Sequence, residues 1–75
     1  MRNKVKFDKG VALAFNDFCK YYNNFRKQEV NKDTKIDFNL TALDITQNHD
    51  CRFVRINHKD IAKRVAEIAK VHYKD

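Results

Sequence analysis

Seventy-five residues carrying a formal charge of +6, two cysteines, one glycine and no proline describe one small basic domain, 1–75. A chain this short buries only about 60% of the surface its unfolded form exposes, which leaves no room for a second core. Two cysteines exclude a disulfide framework and fit a reducing compartment. No apolar run reaches the roughly 20 residues of a membrane span or the roughly 7–15 of a secretion signal.

At the N-terminus, Val5 and Phe7 alternate with Lys4 and Lys6, which predicts a short half-buried strand over 3–7. Asp8 follows as an N-cap for a helix expected over about 9–28. Its apolar residues Val11, Phe15, Phe18, Tyr22 and Phe25 advance by steps of four and three, one stripe of a helix. Ala12, Ala14 and Cys19 flank that stripe, and Leu13 stands alone on the polar side. The polar segment 29–35 ends the helix with turn chemistry from Asn31, Asp33 and Thr34.

Ile36, Phe38, Leu40 and Ala42 then alternate with Asp37, Asn39 and Thr41, predicting a strand over about 35–46. The alternation slips after Ala42, since Leu43 and Ile45 have the other parity; a β-bulge or a strand end followed by a helical turn accommodates this. Residues 47–50 read as a hairpin turn and 51–56 as a second strand rich in sheet-forming residues. Asn57 caps a final helix over about 58–73, with Asp60 three positions on. Ile61, Val65, Ile68 and His72 form its stripe, lined by Ala62, Ala66 and Ala69. The expected fold class is therefore α+β, in the order β-α-β-β-α, with two helices on one face of a short antiparallel sheet.

Charge is segregated along the chain. Residues 1–10 sum to +3, residues 31–50 to −2, and Arg52 with Arg55 restores +2. With a pI near 9.5, such a distribution favours a polyanionic partner. Phosphate contacts are expected from Arg2, Lys4, Lys6, Arg52, Arg55, Lys63, Arg64 and Lys70, and from Lys74 on the same helix. Phe53 beside Arg55 on a strand face would stack an unpaired base.

The alternating basic strand and following helix, Arg2 to about Gln28, resemble the start of ribbon-helix-helix repressors. That resemblance implies a DNA-reading strand, but the family continues directly into a second helix where 36–56 here reads as strands. His49 in a turn and His58 at a helix start form a conceivable acid–base pair for ribonuclease chemistry. No convergent catalytic site accompanies them, so no enzyme is expected. Neither a metal site nor a cofactor is expected, because His49, Cys51 and His58 match no zinc spacing.

The function that follows is a small non-catalytic nucleic-acid-binding protein, RNA favoured over duplex DNA because no recognition helix is evident. The alternative is a phage-type accessory protein that inhibits a host enzyme or nuclease toxin, binding a host protein and RNA together. Eight asparagines and eleven lysines fit the AT-rich coding of a phage or low-GC bacterium. The expected location is the cytoplasm, that of a host if phage-encoded. A homodimer through the first helix or a sheet edge stays open, and no membrane partner is expected.

Overall fold

A computed structural model of the protein describes residues 2–28, 30 and 32–73, the side chains of Arg2 and Asn3 excepted. Four helices follow one another: α1 (Arg2–Lys27), α2 (Phe38–Gln47), α3 (Arg52–Ile56) and α4 (His58–His72). The described residues contain no strand. The α+β expectation is thereby overturned, together with its sheet and its β-α-β-β-α order.

Each correction has a local cause. In the N-terminal segment, Phe7 begins the helical stripe that continues through Val11, Ala14, Phe18 and Tyr22. Five alternating residues could not outweigh that longer register, and Asp8 lies inside α1 rather than capping it. In the second segment, the slip of parity at Leu43 marks a helix. Phe38, Ala42, Ile45 and Thr46 share one face, and Ala42 and Thr46 are fully buried. Asp37 caps α2, its Oδ1 accepting the Leu40 N–H at 3.1 Å, a partner for one of the donors that a helix start leaves open. The third segment, 51–56, is one and a half turns of helix despite its sheet-forming composition. Burial of Val54 against the other helices decides the matter, since strand propensity is weak and context-dependent.

The final helix stands as expected, with Tyr73 as its C-cap. Asn57 precedes it but makes no side-chain cap. Its Nδ2 donates backward to Phe53 O at 2.9 Å, fastening α3 to the start of α4.

The core is built around α4, which supplies Ile61, Ala62, Val65, Ala66 and Ala69 to it. α1 contributes Val11, Ala14 and Phe18. Alanines on the buried side of α4 let both neighbours approach closely. α1 and α4 run in the same direction: Gly10 lies against Ile61, and Phe15 meets His72 in an edge-to-face contact at 5.5 Å. α2 runs antiparallel to α4, with Thr46 beside His58 O at one end and Phe38 beside Lys70 and Tyr73 at the other.

The 48–51 connection is held from two sides. His49 is half-buried, its side chain 8% exposed; its Nδ1 accepts the Cys51 N–H at 3.0 Å, so the ring proton of the neutral imidazole belongs on Nε2. That nitrogen lies 2.8 Å from Asp17 Oδ2 on α1, close but not aligned as a hydrogen bond. Arg55 Nη1 donates to His49 O at 2.7 Å and to Asp50 O at 2.9 Å, closing the turn from α3.

Candidate nucleic-acid interface

Aromatic side chains concentrate where the C-terminal halves of α1 and α4 meet the start of α2. Phe18, fully buried, packs edge-on against Phe38 at 5.6 Å and at a tilt against Tyr73 at 6.2 Å. Tyr22 and Tyr73 stack with ring centroids 3.8 Å apart and planes 20° from parallel. The large residues of the helical stripe thus serve twice, inner rings filling the core and outer rings leaving edges at the surface.

Around those edges is a cleft of about 330 Å³, lined by Tyr22, Phe38, Tyr73, Arg26, Lys35 and Lys70, with Ile36 at its side. Among the described residues three cations and three rings line it, and no carboxylate does. Asp37 lies next in the chain but is committed to its cap. The Arg26 guanidinium lies 5.2 Å from the Tyr22 ring centroid and 5.8 Å from that of Phe25. It also donates to Thr34 O at 2.6 Å and Lys32 O at 3.2 Å, drawing the 32–35 segment back onto α1. Lys35 reaches the cleft through that strap.

The cationic surface continues along α4. Lys59, Lys63 and Lys70 fall within about 40° of one another around the helix and span about 16 Å of its length. Lys59 and Lys63 line a second, smaller cleft with Asn39, Leu43 and Ala62, on the flank of α4 that faces α2. A furrow between α2 and α4 therefore carries Lys59 and Lys63 along one wall, and Lys70 stands at the aromatic cleft further along α4, with the exposed Glu67 one turn from Lys63 and Lys70. No carboxylate lines either part of it among the described residues.

Tyr73 has a second partner. Burial raises its phenol above the ordinary tyrosine range, and a hydrogen bond with Cys19 and the nearby Cys19 and Tyr22 groups act the same way. A bond that favours the neutral phenol is one in which the O–H donates to the Cys19 sulfur. The phenol consequently stays uncharged past the ordinary tyrosine range.

The residues expected from sequence do not all gather here. Lys63 and Lys70 do. Arg64 stands roughly 100° from Lys63 around α4, in a separate depression with Glu67, Ile68, Val71 and His72. Lys4 and Lys6 are exposed at the start of α1, and about 30 Å of helix separates Lys6 from Arg26. The side chain of Arg2, and Lys74 altogether, lie outside the described residues. Arg52 and Arg55 are exposed on α3 and Phe53 is half-buried against α1. With no strand there, the Arg/Phe stacking platform has no sheet to stand on, and the likeness to ribbon-helix-helix repressors loses the strand it rested on.

Sequence reasoning missed Tyr22, Arg26, Lys35, Phe38, Lys59 and Tyr73. Lys59, Lys63 and Lys70, at steps of four and seven on a correctly predicted helix, were legible as one flank. Phe38 and Lys35 were not, because their position depends on α2 being a helix. His49, considered for acid–base chemistry, is built into the fold, and His58 Nδ1 lies 2.9 Å from Arg55 O. Among the described residues no three of His, Cys, Asp and Glu gather as a metal site, and no helix is long and apolar enough to cross a membrane. Comparison with protein-family models, curated proteins and solved structures finds no match.

Proposed function

We propose that the protein is a small non-catalytic module that binds single-stranded nucleic acid, RNA in preference to duplex DNA. The observation that carries this reading is the union of exposed ring edges and cations at the Tyr22–Phe38–Tyr73 cleft, continued by the lysine flank of α4. Ring edges offer an apolar contact to unpaired bases, while cations follow the phosphates. A duplex offers no free base face to such a cleft, and α4 turns its small residues inward rather than presenting a reading face to a groove.

Titration of a fluorescein-labelled single-stranded RNA and a duplex DNA of equal length tests the proposal. Anisotropy at several salt concentrations is expected to show tighter RNA binding that weakens steeply with salt. Lys59→Ala, Lys63→Ala and Lys70→Ala should each lower the log–log salt slope by about 0.7, the value for one phosphate of a single strand. Arg64→Ala, off that flank, should leave the slope unchanged. Absence of binding to either nucleic acid at low salt would remove the reading. The rival expectation of a host-protein inhibitor predicts capture from lysate that survives nuclease treatment.

A further inference from the structure

At the other end of α1, Lys6, Lys9, Gly10 and Leu13 meet Cys51 and Phe53 around a groove of about 290 Å³. Its floor is apolar because Gly10 has no side chain to fill it, and Phe53 Cδ1 lies 3.4 Å from where a Cβ would stand. Leu13 forms one wall and is 49% exposed. Lys6 and Lys9 are exposed and, among the described residues, supply the only charges lining the groove. Asp17, one turn beyond Leu13, lies against His49 and Asp50 is exposed, and neither lines the groove.

The complementary shape is present elsewhere on the same chain. Asp37, Leu40, Asp44 and Gln47 advance by three, four and three, so they form one stripe along the outer face of α2. Leu40 is 64% exposed, flanked by the exposed Asp44 and by the exposed Asp37, whose Oδ1 also caps α2. α2 carries no lysine or arginine. One surface is an apolar notch between ammonium groups; the other presents an exposed leucine between carboxylates, at the rim of a shallow cleft shared with Tyr21.

We propose that the Leu40 face of one molecule seats in the Lys6/Lys9 groove of a second copy. The Leu40 face and the groove are different patches, so the contact is heterologous, and each joined pair retains one free face and one free groove. Association is therefore head to tail, grows with concentration, and weakens with salt because charge pairs frame the apolar contact. The proposal is independent of the nucleic-acid reading, which uses the α2–α4 furrow.

Sedimentation velocity of the full chain, from micromolar to millimolar concentration at low salt, provides the test. The weight-average mass is expected to rise steadily above that of one chain, and to fall back at high salt. Leu40→Asp and Leu13→Asp change exposed positions, and far-UV circular dichroism establishes that each stays helical. Each alone is expected to sediment as a single chain. Their equimolar mixture should form a dimer and stop there, since the first keeps an intact groove and the second an intact Leu40 face. A wild-type chain that remains a monomer throughout, a Leu40→Asp variant that associates as the wild type does, or a mixture that fails to dimerise overturns the proposal. A symmetric contact using one patch twice would instead let one of the two variants dimerise on its own, which also overturns the proposal.

Discussion

The two ends of the α1–α4 layer solve the same packing problem with different residues. At the C-terminal end the helices are held apart by rings, with Phe18 between Phe38 and Tyr73 and Tyr22 stacked on Tyr73. At the N-terminal end they close on one another over Gly10, whose missing Cβ would stand 3.0 Å from Ile61 Cδ1. Rings make a thick interface with edges left over for a cleft. Small residues make a thin one, with a shallow apolar groove beside it. The binding chemistry assigned to each end follows from that difference.

Removing the ring that organises the thick end should have the largest effect. Phe18→Ala deletes a fully buried side chain touching α2 and the α4 cap at once. A loss of about 3–5 kcal/mol is expected, a large share of the roughly 5–15 kcal/mol that stabilises a typical domain. Urea denaturation followed by circular dichroism measures it. A loss below about 1 kcal/mol would mean that the rings are not the keystone of that end.

Filling the thin end should cost less. Gly10→Val places two methyl groups where Ile61 and Phe53 already stand at 3.0 and 3.4 Å from a bare Cβ. Overpacking of this kind costs about 1–3 kcal/mol. Replacing a helical glycine gives part of that back, because glycine is a poor helix former. The same denaturation experiment should give a smaller shift than for Phe18→Ala. If Gly10→Val proves stabilising, the close approach of α1 to α4 is wrong.

How much of this could be read from the chain differs between the ends for a physical reason. α4 and the main stripe of α1 were legible because fifteen or more residues repeat at helical spacing, and no competing period fits so long a run. α2 and α3 were not. Ten and five residues are short enough that Phe38, Leu40 and Ala42 satisfy a strand as well as a helix. The tie is broken only by what Ala42, Thr46 and Val54 pack against. The Asp37 cap and the slip at Leu43 were the local signs of the correct choice. The cleft followed the same division: its α4 lysine was anticipated, whereas Phe38 and Lys35 depend on the helix that was read as a strand. Gly10 by its residue type alone is only a poor helix former; its reason is Ile61, a neighbour far away in the sequence.

The smallest change sharpens the comparison most, because it leaves every ring in place. Tyr73→Phe removes one hydroxyl, with its bond to Cys19, and keeps the stack on Tyr22. At neutral pH stability should move by about 1 kcal/mol or less, the net worth of a typical hydrogen bond. At alkaline pH the two proteins should diverge. The folded protein holds the Tyr73 proton above the ordinary tyrosine value, burial being the main cause and the Cys19 contact the next. The unfolded chain releases it near about pH 10. The native state therefore binds more protons above that pH, and wild-type stability falls as pH rises past it, while below it the contribution is complete. Tyr73→Phe has no such proton to lose, so its stability should decline less steeply above about pH 10. Urea midpoints measured on both proteins across that range decide the point. Parallel curves would mean that Tyr73 ionises as freely folded as unfolded, without the burial and Cys19 contact that hold its proton.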